Sequence, residues 1–160
     1  MAKVKLLDET IQNRDIYTQK DAGQNWQLLL PLLYERKCIT INEYHYKILC
    51  RGTSHSRGQY KTYEELIRKI QSYEKTIVST LGKINSMPVE SRNQYIRDIK
   101  IKYLHECYGT CWIFLRRRDA LMIQKELKEC YGVCIPLYER LRMDLLWLYK
   151  KVRRVNRRIS

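Results

Sequence analysis

Acidic residues are scarce in this chain. Its 160 residues hold 17 Asp and Glu against 31 Lys and Arg, for a net charge of +14 and a pI near 9.6. Phenylalanine is almost missing, at one residue, and histidine is limited to His45, His55 and His105. With three isolated histidines there is no H-E-x-x-H metal motif, and no Ser/His/Asp arrangement stands out either. No RNP-type aromatic run and no zinc-finger spacing is present, so the familiar nucleic-acid modules are not indicated. Long apolar runs are also lacking. The longest, such as Leu28 to Leu33, fall far short of the roughly 20 residues a membrane span needs. The start of the chain turns polar at Asp8, so it offers no secretory apolar core. Without an export signal, the six cysteines are expected as thiols in a reducing compartment.

What is present excludes a disordered basic tail. Hydrophobic residues make up 44% of the chain, with 13 Tyr and 3 Trp, enough to build a core. Trp26, Leu29, Leu30 and Leu33 recur at helical spacing over 24–36, with Pro31 inside, where a kink or break is expected. Cys38 to Ile41 and the alternation of Tyr44, Tyr46 and Ile48 read as a small β segment. Arg51 to Gln59 is an aperiodic Gly/Ser/His loop. Thr62 and Glu65 then form a capping box ahead of a stripe at Leu66, Ile70, Tyr73, Ile77 and Leu81. Pro88 sits where a helix can begin, and Ile96, Ile99, Tyr103, Cys107 and Cys111 continue at helical spacing. A further helix spans Leu121 to Tyr131 with Gly132 as its C-terminal cap, and Pro136 opens the last one.

Glu106-Cys107-Tyr108-Gly109-Thr110-Cys111 is echoed as Glu129-Cys130-Tyr131-Gly132-Val133-Cys134, too few copies for a solenoid. The quartet Cys107, Cys111, Cys130 and Cys134 has two readings. Four thiolates would suit zinc, although structural zinc prefers two-residue spacers on tight knuckles. The other reading is packing, in which small Cys and Gly residues let two antiparallel helices approach closely.

The segment from Asn13 to Gly58 carries a more specific order. It runs Asn13-Arg14-Asp15-Ile16-Tyr17, then Ala22-Gly23-Gln24-Asn25-Trp26-Gln27-Leu28-Leu29-Leu30-Pro31-Leu32, then Cys38-Ile39-Thr40-Ile41-Asn42-Glu43-Tyr44-His45-Tyr46, and finally Arg51-Gly52-Thr53-Ser54-His55-Ser56-Arg57-Gly58. This order resembles the C-terminal, acceptor-side half of bacterial family 2 glycosyltransferases that decorate surface polysaccharides. In that family an acidic or amide pair followed by Trp opens a helix under the acceptor site, and an R-x-x-S-x-S loop reaches the donor diphosphate. The match covers about a third of the chain, and the helices after Thr62 correspond to the family's variable tail.

The resemblance implies an α+β, mainly α chain. Residues 1–60 would be the acceptor-side remnant of a GT-A domain, a short helix plus a small β segment. Residues 61–160 would be a bundle of three or four helices with a basic amphipathic last helix. It implies sugar transfer from a nucleotide-sugar to a surface-polysaccharide or lipid-linked acceptor, at the cytoplasmic side of the cell membrane. Gln24, Asn25 and Trp26 become acceptor-site candidates, with Trp26 as core and Asn25 as a helix N-terminal residue the plainer alternatives. Arg51, Ser54, His55, Ser56 and Arg57 become diphosphate-gripping candidates, a role that Arg and hydroxyl donors suit chemically. The catalytic base falls at Asn25, which is not basic, so either Asp21 serves or Asn25 only orients the acceptor. The Mg or Mn ion of the complete enzyme is expected on a nucleotide-binding half, because these residues hold no D-x-D. The chain alone is expected to bind no cofactor and to need that half for activity, with a donor-domain partner or self-association as its expected protein contacts.

Residues 136–160 hold eight Lys and Arg but only Glu139 and Asp144 as acids, a local excess of +6. Leu141, Leu145, Leu148 and Val152 share one helical face, with Trp147 and Tyr149 expected to flank it. The pattern suits an anionic membrane interface, a solvated structural helix or, less readily, nucleic acid. The alternative to a transferase is therefore a non-catalytic basic helical module that binds a membrane surface or nucleic acid.

Overall fold

A computed structural model describes Ile16, Gly23–Arg36 and Tyr60–Ile159. Within these residues the chain is mainly helical, with five helices and no strand. They are α1 (Gln24–Glu35), α2 (Tyr63–Gly82), α3 (Val89–Ile113), α4 (Arg117–Tyr131) and α5 (Leu137–Ile159). The β segment expected over 38–49 and the loop at 51–59 lie outside the described residues. The chain divides into two compact units, Met1–Asn93 and Gln94–Ser160, with the boundary in the second turn of α3.

In the first unit, α2 starts where its sequence says it should. The Thr62 hydroxyl accepts from the Glu65 N–H at 3.2 Å, while Glu65 Oε2 accepts from the N–H groups of Lys61 at 2.9 Å and Thr62 at 3.1 Å. Three backbone donors that the helix itself leaves unmet are thereby satisfied. The two backbone donors hold the Glu65 carboxyl below its ordinary value. Ile70, Ile77 and Leu81 of the anticipated stripe are buried, joined by Ile84 and Met87 beyond the helix end. Thr76 and Thr80 are buried too, and their hydroxyls donate back to the carbonyls of Ser72 and Thr76, so no polar group there is stranded. Arg92 closes the turn into α3 by donating to the carbonyls of Ile84 and Met87. Helix α1 packs on α2. It continues through Pro31, so of the expected kink or break the break does not occur. Pro31 and Leu32 are both buried, and burying that turn offsets the missing backbone hydrogen bond.

The second unit is an up-down-up arrangement, legible from three cationic contacts. Arg97, early in α3, donates to the carbonyl of Tyr131 at the end of α4 at 2.6 Å, which makes these helices antiparallel. Arg117 at the start of α4 meets Asp144 of α5 at 3.4 Å, and Lys150 of α5 donates to the carbonyl of Ile113 at 3.2 Å. The third helix therefore passes the corner where α3 hands over to α4. That corner is a Schellman turn. The Arg116 N–H bonds to the Cys111 carbonyl and the Leu115 N–H to that of Trp112, with Leu115 left-handed at φ 61° where glycine is usual. At the far end Gly132 takes the expected left-handed cap at φ 69°, and Leu137 begins α5 directly after Pro136.

Tyr108 and Trp112 pack edge to face with ring centroids 6.1 Å apart. Tyr108 is only 1% exposed. Its hydroxyl and the Trp112 Nε1 complete no hydrogen bond, and neither does Arg140 Nε. Burial pushes the Tyr108 hydroxyl above the ordinary tyrosine range; nearby Trp112 Nε1 pulls the other way.

Two outcomes follow for stability. Thr62→Ala should cost about 1 kcal/mol, read from the denaturant midpoint. Because Glu65 is depressed, the capping contribution should be present above pH 4.5 and fade as pH falls below it. Tyr108→Phe removes an unmet buried hydroxyl, so it should leave stability unchanged or raise it by about 1 kcal/mol. The wild-type chain, whose Tyr108 resists ionisation when folded, should lose stability as pH climbs above 10, and the Phe variant should lose less.

Candidate functional site

In the first unit the residues that converge lie at the start of α1. Gly23 is left-handed (φ 56°) and its carbonyl accepts from the Trp26 N–H at 2.9 Å. A Cβ added at Gly23 would stand 2.9 Å from Trp26 Cδ1 and 3.4 Å from Tyr73 Cδ1 of α2. Only glycine meets both the backbone angle and this close approach. The rings of Trp26 and Tyr73 thus both abut Gly23. Lys69, one turn before Tyr73, sits 4.4 Å over the Tyr60 ring and 5.6 Å over the Tyr73 ring. The first turn of α1 has no acidic residue and no side-chain cap.

Gln24, Asn25 and Trp26 are exposed on that first turn. Trp26 is 42% exposed, so the reading that made it core does not hold. Asn25 is the second residue of α1, in keeping with its reading as a helix N-terminal residue, and the N-cap position is Gly23 with no side-chain cap. The arrangement offers two amide side chains beside a half-open aromatic surface. Amides can donate and accept at once, and an aromatic face is a platform for an apolar or C–H-rich surface. Asp21, Arg51, Ser54, His55, Ser56 and Arg57 lie outside the described residues. Tyr73, Lys69 and Tyr60 were not anticipated as part of this surface. Tyr73 shares the helical period of the buried stripe, and periodicity alone does not separate a core position from the rim beside it.

The cysteine quartet does not assemble. Cys107 and Cys111 are buried on α3, whereas Cys130 and Cys134 are exposed at the end of α4 and in the segment after it. Antiparallel pairing sets Tyr131 level with Arg97, and Cys107 and Cys111 stand about 15–21 Å further along α3 at 1.5 Å per residue. No group of three or more His, Cys, Asp or Glu among the described residues is placed to hold a metal. The packing reading holds for the first pair only. Glycine does not explain it, since a Cβ at Gly109 or Gly132 would meet nothing within 4 Å.

In the second unit, α5 presents its apolar side outward. Leu141, Leu145, Leu148 and Val152 are exposed, together with Tyr138 and Tyr149. Trp147 does not flank them as expected; it lies on the opposite side, with Arg117 5.6 Å and Lys151 4.7 Å from its ring. No described helix is long and apolar enough to cross a membrane. Compared with known proteins, the chain matches no protein-family model, no curated protein and no solved structure.

Thiol alkylation of the native chain, mapped by mass spectrometry, should label Cys130 and Cys134, and reach Cys107 and Cys111 only after unfolding. Metal analysis of protein purified without chelator should return far less than one zinc per chain.

Proposed function

We propose that this chain is the acceptor-side portion of a family 2-type glycosyltransferase, working on the cytoplasmic face of the cell membrane. The observation that supports the reading is the first turn of α1, where Gln24, Asn25 and Trp26 are exposed beside Tyr73 around a left-handed Gly23. It joins the sequence order from Asn13 to Gly58, in which an R-x-x-S-x-S loop follows. On this reading the aromatic face of Trp26 stacks on a sugar ring of the acceptor glycan. Gln24 and Asn25 hold its hydroxyls by hydrogen bonds, fixing which oxygen attacks.

The reaction joins that oxygen to the anomeric carbon of a nucleotide-sugar. The bond from that carbon to the diphosphate oxygen breaks, and the diphosphate leaves with the electron pair. The acceptor proton goes to a carboxylate. Asn25 cannot take it, and Asp21 is the nearest acid in the sequence; Asn25 then positions rather than catalyses. Arg51, Ser54, His55, Ser56 and Arg57 meet the charge that develops on the diphosphate. Among the described residues no cluster of His, Cys, Asp or Glu is placed to hold a metal.

A second reading, a non-catalytic basic module, draws on the cationic α5 and needs no sugar. Saturation-transfer NMR with a panel of surface-polysaccharide fragments separates the two. The transferase reading expects glycan binding by the 160-residue chain that weakens at least tenfold in Trp26→Ala and in Asn25→Ala, about 1.4 kcal/mol each. Absence of binding across the panel, or equal binding by all three proteins, would sink it.

A further inference from the structure

Helix α5 is mounted with its polar side inward. Lys150 donates to the carbonyl of Ile113, Asp144 meets Arg117, and Trp147 takes the same guanidinium over its ring. Residues Arg140, Met143, Asp144, Trp147 and Lys150 of this side are all partly screened from solvent. A surface helix ordinarily turns its apolar stripe to the core. Here Tyr138, Leu141, Leu145, Leu148 and Val152, spaced alternately three and four apart, form a continuous outward row. Tyr138 is 72% and Leu145 66% exposed. The row extends about 21 Å along the axis. An unbroken apolar row of this size in solvent marks a surface that something covers.

Charge decides what covers it. At 100° per residue, Arg142 falls at one border of the row and Lys151 at the other, and both are exposed. The sequence adds Arg153, Arg154, Arg157 and Arg158 while the helix backbone runs on to Ile159, and the stretch 136–160 totals +6. A second copy laid on this row would set two such stretches side by side, and like charges would oppose the contact. An anionic lipid surface instead accepts both features. The leucines enter the acyl boundary, Tyr138 and Tyr149 sit at headgroup depth, and the bordering cations reach up to the phosphates.

We propose that α5 docks the chain flat on an anionic membrane surface, with the row from Tyr138 to Val152 facing the lipid. The proposal stands on the second unit alone and is independent of the sugar-transfer reading. It is tested with the full chain and vesicles of phosphatidylcholine, with and without 30% phosphatidylglycerol, by co-sedimentation at 0.1 and 0.5 M salt. A Leu145→Gln, Leu148→Gln variant is run in parallel, with circular dichroism to check that it is folded; both positions are exposed, so folding should be untouched. The expected result is binding to the anionic vesicles only, weakened by salt and reduced at least tenfold in the variant. Equal binding to both vesicle types, equal binding by the variant, or no vesicle binding would overturn it. So would a dimer, seen by sedimentation velocity, that the same substitutions dissociate while vesicles remain unbound; that outcome assigns the row to a second copy.

Discussion

The corner where Arg117, Asp144, Trp147, Lys150 and the Ile113 carbonyl meet determines how α5 is rotated about its own axis. None of these contacts is strong. Arg117 and Asp144 are about half exposed, and a pair in that setting contributes at most about 1 kcal/mol. Their consequence is geometric. Three contacts on one side of a helix select its rotation. The rotation selected leaves Leu141, Leu145, Leu148 and Val152 in solvent. A helix seated by its leucines would leave no apolar row in solvent.

The start of α1 works by a comparable constraint at smaller scale. Gly23 lets the chain enter the helix in a left-handed turn and lets two aromatic rings close against the backbone. Trp26 is thereby held at the surface, with α2 supplying Tyr73 behind it. The amides at Gln24 and Asn25 sit on the same turn because nothing on that turn competes for them. There is no acidic residue and no side-chain cap.

Much of the helical part was legible from residues whose effects are local. The capping box at Thr62 and Glu65, the helix start after Pro88, the stop at Gly132 and the restart after Pro136 each follow from one or two backbone hydrogen bonds or a fixed φ. At Pro31 the helix does not break, because burial outweighs a local defect. The echo of Glu-Cys-Tyr-Gly was misleading in another way. Its first copy lies inside α3, with Gly109 helical, while its second ends α4, with Gly132 left-handed. Ile135 precedes Pro136, which disfavours helical backbone there, and nothing comparable follows the first copy. Nearly identical hexapeptides thus differ in conformation, and the cysteines they carry end up far apart. The candidate acceptor residues Gln24, Asn25 and Trp26 were named from sequence order; their exposure, and Tyr73 beside them, were not.

By itself the sequence determined that the chain is mainly helical, where four helices begin or end, and that its positive charge gathers at the C-terminal helix. Those properties depend on neighbours a few residues apart, and one-dimensional order records them. Only the tertiary structure decided that Trp26 lies open beside Tyr73, that the two cysteine pairs are separated, and that α5 shows its leucines to solvent. Each of these depends on which side of one helix meets another. Periodicity defines a helix's faces; the contacts from distant residues choose which face is hidden.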